Sequence, residues 1–208
     1  MWSDSEKRAI AIVNLDAERL GRSARHVALA FREVKPDSLV CRLPEKLISK
    51  YLLEVISEGG RVLTAEHQEV PVGFLVFVRD NNLTLKFLRR HWCRVVSGLL
   101  FSARGTDKKL LFEVAGNALA MCGSNLSGEF RDEISLLAVK TGYTGKGIGE
   151  ALIRNFLQRH RGLVRVKTNL LNHGAARFYR RVGFAEVGVV GVGIQRLVCF
   201  ELNNCLGS

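Results

Sequence analysis

The stretch TGYTGKGIGEALI, residues 141–153, places four glycines between positions 142 and 149 and then turns into an apolar-periodic run. Glycine reaches backbone angles closed to other residues and lets a ligand approach the chain closely. The run before it, EISLLAV at 133–139, reads as a strand. Strand, glycine-rich turn and helix start together place several main-chain N–H groups at the positive end of a helix dipole, an arrangement that binds anions. The two common nucleotide loops do not fit. A Walker loop needs Ser or Thr after Gly-Lys, and here Lys146 is followed by Gly147. A dinucleotide fingerprint starting at Gly145 or Gly147 meets Glu150 or Leu152 where its last glycine belongs.

Outward from the loop, the pattern is mixed. A strand is expected over 8–15, a helix over 17–34 and a helix over 44–57, which Pro44 suits at its first position and Gly59-Gly60 ends. Residues 61–66 and 72–79 read as a hairpin with Val70-Pro71 between its strands. After Asp80-Asn81-Asn82, residues Leu85, Leu88, Trp92, Val95 and Leu99 mark one apolar helix face. A second short helix is expected over 109–118 and a loop over 123–128. Downstream of the glycine loop come a helix over 149–160, a strand over 163–169, a helix over 175–181 and strands over 184–190 and 195–202. The whole reads as one mixed α/β domain with residues 81–130 inserted into it.

The chain has 208 residues, enough for one ordinary domain, and no apolar run of the ~18 residues a membrane span needs. Residues 1–8 lack the apolar core of a signal peptide, so a soluble, cytoplasmic protein is expected. The five cysteines, at 41, 93, 122, 199 and 205, include no CxxC spacing and read as reduced thiols. The five histidines are scattered, and no metal site is expected. The net charge of +11 is concentrated. Residues 83–112 hold 7 basic and 1 acidic residues, and residues 140–181 hold 10 and 1. Nucleic acid is one partner for such charge; a small polyanionic cofactor is another.

The run from Glu133 to Phe184 resembles the GNAT superfamily of acetyl-CoA-dependent N-acetyltransferases. The likeness lies in EISLLAVKTGYTGKGIGEALI and VRVKTNLLNHGAARFYRRVGF, the second matching at Asn172, Ala175, Phe178, Tyr179, Gly183 and Phe184. The two blocks keep the family's order, with Asn172 lying 23 residues after Gly149. The implied fold is α/β of the α+β type: a single GNAT-like domain over 1–208. Its twisted mixed sheet has about six to seven strands flanked by helices, with a helical insertion before the fourth strand. Thr141 stands where the family often has Pro, and Thr144 where it has Arg or Gln, so a weaker grip on the coenzyme is expected. Lys146, with some of Lys140, Arg154, Arg177, Arg180 and Arg181, is expected to restore the charge.

The resemblance implies direct attack of an amine on the acetyl thioester. Acetyl-CoA would lie against Leu137, Ala138 and Val139, against Thr144, Gly145, Lys146, Gly147, Ile148, Gly149 and Glu150, and against Asn172 and Ala175. A backbone N–H near Val139 would take the thioester oxygen. Glu133 aligns with the base of several members and would act directly or through a water. Tyr179, with a reference pKa of about 10, would protonate the leaving thiolate. Bland readings stand beside these: Glu133 paired with a cation, Asn172 forming a turn, Tyr179 packed in the core.

The expected acceptor is a small-molecule amine, an amino sugar among the candidates, and basic walls from 83–112 would favour an anionic one. That basic segment also suits weak contact with a membrane surface. A protein N-terminus or lysine is the alternative acceptor. A non-catalytic acyl-CoA sensor is the alternative class, favoured by Thr144. Nucleic acid has charge alone behind it and is not expected as a partner.

Overall fold

The computed structural model describes residues 10–34, 40–80, 82–95, 132–192 and 195–204. Seven strands form one sheet in the order β1-β2-β3-β4-β5-β7-β6. They are β1 (Ile10–Leu15), β2 (Arg61–His67), β3 (Val70–Val78), β4 (Glu133–Val139), β5 (Leu163–Asn169), β6 (Ala185–Val192) and β7 (Gln195–Asn203). The described helices are α1 (Ala17–Val34), α2 (Glu45–Ser57), α3 (Leu83–Arg90), α4 (Ile148–Arg159) and α5 (His173–Arg181), with a 3₁₀ turn at Val40–Arg42. Residues 109–118 and 123–128, Leu99 and most of the expected insertion lie outside the described residues. The chain divides into two compact units, Met1–Arg79 with Ser135–His160, and Asp80–Ile134 with Arg161–Ser208.

In the first unit β1, β2 and β3 are antiparallel neighbours. β3, VPVGFLVFV, is buried from Pro71 to Val78, the near-continuous apolar run of a strand covered on both faces. Alternation sends Phe74 to one face and Phe77 to the other. Phe31 of α1 meets Phe74 edge-on at 5.2 Å, and Phe156 of α4 meets Phe77 at 4.8 Å. α2 adds Leu47, Ile48, Tyr51, Leu52 and Val55 at helical spacing. Each fully buried Leu or Phe contributes about 1.5–3 kcal/mol of transfer free energy, so this core carries the unit.

Two local expectations need correcting. The hairpin turns at Gln68-Glu69, with φ of 51° and 65°, and not at Val70-Pro71, which belong to β3. Two consecutive left-handed residues suit the twist of a two-residue hairpin loop. The register shift between Ala65 and Glu66 lets Pro71, which has no N–H to give, pair opposite Glu66. Trp92 is 42% exposed rather than on the buried helix face. α3 ends at His91 (φ −110°, ψ 19°), yet the i, i+4 spacing of the buried positions runs on through it: Leu83, Phe87, His91 and Val95, with Leu88 beside them, leaving Trp92 on the outer side.

In the second unit β5 and β6 flank β7, both antiparallel to it. The residues Glu133 and Ile134 of β4 run parallel to Arg165 and Val166. Val164, Val166, Val198 and Phe200 are buried. α5 lays Tyr179 against Phe184 and Phe200, each ring centroid 5.7 Å away.

Candidate active site

The glycine loop follows β4 directly. Lys140 N–H donates to Val72 O at 2.7 Å and Tyr143 N–H to Lys140 O at 2.9 Å, which pins the first turn. Gly142, Gly145 and Gly147 then have φ of 92°, 72° and 80°. These are left-handed angles that cost an L-residue roughly 1–2 kcal/mol. A Cβ at any of the three would meet no heavy atom within 4 Å, so open space lies above the loop. Gly147 is the N-cap of α4 and offers no side-chain cap; the first main-chain bond inside the helix is Ala151 N–H to Gly147 O at 2.9 Å. The N–H groups of Ile148, Gly149 and Glu150 are therefore the orphan donors of a helix start. Thr144 is exposed and offers only its short hydroxyl and its main chain.

The cations over 140–181 are less free than their number suggests. Lys140 pairs with Glu33 at 2.6 Å and Arg154 with Glu150 at 2.6 Å. Arg165 pairs with Glu201, Lys167 with Glu133 and Arg180 with Glu186. At least half of the ten basic residues over 140–181 thus meet carboxylates of the chain itself. The hydrogen bond to Glu33 and its charge push the Lys140 ammonium above its ordinary pKa. Lys146 lies over the Tyr143 ring at 5.0 Å, and the Tyr143 hydroxyl lies 3.4 Å from His67 Nδ1. The sequence reading missed this last cluster, since nothing in the pattern links His67 to the loop.

In the second unit, Asn172 caps α5: its Oδ1 accepts from Ala175 N–H at 3.0 Å. The cap uses the carbonyl end of the amide and leaves the Nδ2 hydrogens for another acceptor. His173 is exposed, as its neighbours suggest. Tyr179 is buried, at 6% exposure. Burial pushes the phenol above its ordinary value. It therefore holds its proton at neutral pH, and acts better as a hydrogen-bond donor than as a group that gives the proton up fully. Glu133 Oε2 accepts from Lys167 Nζ at 2.6 Å.

Leu137, Ala138 and Val139 lie in the last part of β4, and the parallel ladder to β5 pairs only Glu133 and Ile134. Leu137 and Val139 are half-buried. Among the described residues no three metal-ligating side chains come together, and no helix is long and apolar enough to cross a membrane.

Residues 107–186 match the family model of the acetyltransferase (GNAT) domain. Solved structures share the architecture. A Salmonella typhimurium protein described as an acetyltransferase, solved with its cofactor acetyl-CoA, has a TM-score of 0.58 at 13% identity, covering 96% of each chain. A Desulfovibrio desulfuricans protein described as of the GNAT family has 0.56 at 14%, covering 94% of this chain and 99% of that one. A ribosomal-protein-alanine N-acetyltransferase from Brucella melitensis has 0.54 at 16%, covering 93% and 99%. At such identities the likeness is one of fold. No curated protein matches the chain. Over that matched segment the chain is similar to the acetyltransferase (GNAT) domain.

Proposed function

We propose that the chain is an N-acetyltransferase that passes acetyl from acetyl-CoA directly to a primary amine in a ternary complex. The observation that carries this reading is the uncapped start of α4 behind three left-handed glycines with open space above them. Main-chain N–H groups over 145–150, with Thr144 and Lys146 beside them, would hold the pyrophosphate. The backbone of Leu137, Ala138 and Val139 would pair with the pantetheine arm as an added strand does, one N–H near Val139 taking the thioester oxygen. Asn172, capped onto Ala175, would donate from Nδ2 to the same arm.

The proton balance assigns the remaining roles. An acceptor ammonium must lose one proton to attack and a second to leave a neutral amide. Glu133 takes protons from the nitrogen, through its open oxygen or a water, and passes them to solvent. The C–S bond breaks as the amide forms, and Tyr179 donates to the departing thiolate. The chain works as one GNAT-like domain over 1–208, with residues 81–130 as an insertion bearing on the acceptor. The acceptor we favour is a small amine, amino sugars first.

The test is free-thiol release from acetyl-CoA against amino sugars, polyamines and peptides with free N-termini or lysines. Release with one class and not the others identifies the acceptor. The peptide arm matters because one structural neighbour is named for acetylating a ribosomal-protein alanine. Tyr179→Phe should lower kcat about 100-fold with the KM for acetyl-CoA unchanged; equal losses in binding and turnover would refute its role. A second reading, an acyl-CoA sensor, rests on the exposed Thr144 and on Lys140 and Arg154 being held by Glu33 and Glu150. Saturable binding without thiol release for any amine would favour it.

A further inference from the structure

The glycine loop lies at one end of α4. Toward the other end, within the first unit, lies a cavity of about 150 Å³ lined by Asn14, Arg61, Leu63, Asn155, Phe156 and Arg159. Asn155 and Arg159 follow Gly147 by 8 and 12 residues, which is about 12–18 Å along the axis at about 1.5 Å per residue. The cavity is therefore separate from the glycine cradle.

Register and periodicity build it. Asn14 of β1 pairs opposite Leu63 of β2, and Arg61 stands two residues before Leu63, so the three share one face of the sheet. Asn155 and Arg159 stand at i and i+4 on α4 and share a face of the helix, with Phe156 beside them. Leu63 and Phe156, 2% and 1% exposed, make an apolar floor. Arg61 and Asn155 are half-buried above it, and Asn14 and Arg159 are exposed at the rim.

The polar groups of this rim are largely unused. Arg61 Nη2 donates to Arg159 O at 3.0 Å and so caps one orphan carbonyl of the helix end. That takes one of its five N–H groups. Among the described residues neither guanidinium meets a carboxylate, and neither Asn14 nor Asn155 has a side-chain hydrogen bond. None of the described lining residues is acidic. Capping alone explains one N–H of Arg61 and gives no part to Arg159, Asn14 or Asn155. The helix end carries only about half a negative charge, which two guanidiniums outweigh.

We propose that this cavity binds a small organic carboxylate. Arg159 and the remaining N–H groups of Arg61 take the carboxylate as a charge-assisted fork, the two carboxamides add donors, and the apolar body of the ligand lies on Leu63 and Phe156. The site holds whether or not the chain transfers acetyl.

The test is NMR of the full ¹⁵N-labelled chain at low salt, titrated with benzoate as the probe. The Nε–H signals of Arg61 and Arg159 and the carboxamide signals of Asn14 and Asn155 should shift together and saturate. Shifts that never saturate, or that fall elsewhere on the chain, overturn the proposal. Acetate keeps the charge without the body, and benzyl alcohol keeps the body without the charge. Each should bind at least about tenfold more weakly than benzoate; equal affinity for either overturns the proposal. Arg159→Gln should weaken benzoate at least about tenfold with little change in melting temperature, because the side chain is exposed. Unchanged affinity in that variant overturns the proposal. Gly147→Trp should keep its full affinity for benzoate; its loss would put the carboxylate in the glycine cradle and overturn the separate site.

Discussion

In the first unit, the residues that face an expected anion contribute main-chain groups: three left-handed glycines and an uncapped helix start, with the nearby cations largely held by carboxylates. In the second unit, the groups with chemistry to offer are side chains fixed by partners: Asn172 by Ala175, Glu133 by Lys167, Tyr179 by aromatic rings. A main-chain cradle depends on backbone angles, so it tolerates a change such as Thr at 144. A side-chain site depends on identity at each position, so it tolerates little.

Gly147→Trp should separate the two most strongly. The indole enters space where a Cβ meets nothing, so the fold loses only the ~1–2 kcal/mol of left-handed strain. Coenzyme affinity by calorimetry should fall about 100-fold or more, nearly 3 kcal/mol. Retained affinity would break the main-chain account. Gly60→Ala is the opposite case. Its Cβ would lie 2.5 Å from Phe77 O and 2.7 Å from Val55 O, both backbone atoms that cannot swing away. Denaturant unfolding should show a loss of about 2–3 kcal/mol with coenzyme affinity unchanged.

Asn172→Ala removes the cap of α5 and should cost about 1 kcal/mol of stability. A loss of coenzyme affinity beyond that of folded protein would assign its Nδ2 to the ligand. Thr144→Gln, which restores the family's long polar side chain, should tighten coenzyme binding by about threefold to tenfold. No change would mean that the main chain alone saturates the pyrophosphate. The smallest effect concerns Lys140. Its pKa is raised in the folded state by Glu33, so the pair's contribution is present below the ordinary lysine value and is lost as pH rises through the folded one. Glu33→Gln should return the Lys140 titration to its ordinary value by NMR. Melting temperature at neutral pH and high salt should barely move, because both side chains are more than a third exposed.

Much of the fold is legible in the sequence. Helix α1, in spite of a kink at Ser23, and strands β4 and β5 begin and end where their periodicity puts them. Val70-Pro71 misleads because proline signals a turn only where the strand cannot bulge, and the bulge at Ala65/Glu66 lies on the neighbouring strand. Trp92 misleads because its place in the apolar pattern competes with Phe87 and His91, and the buried stripe follows Leu83, Phe87, His91 and Val95 instead. The pairing of Glu133 with Lys167 is half visible: VRVK puts Arg165 and Lys167 on one face. Which of them Glu133 takes is set by three-dimensional neighbours whose register no local pattern encodes. Likewise, at least half of the basic residues over 140–181 meet the chain's own carboxylates, a fact of three-dimensional neighbours rather than of composition.

The proposed hold of the glycine loop's main-chain donors on the coenzyme's pyrophosphate is open to a direct test. It is tested most directly by calorimetric titration of the wild-type chain with acetyl-CoA and with acetyl-phosphopantetheine, which lacks the pyrophosphate. Acetyl-CoA should saturate the chain one to one, and the fragment should bind at least about 100-fold more weakly. Equal affinity for the two, or no saturation by acetyl-CoA at all, would contradict it.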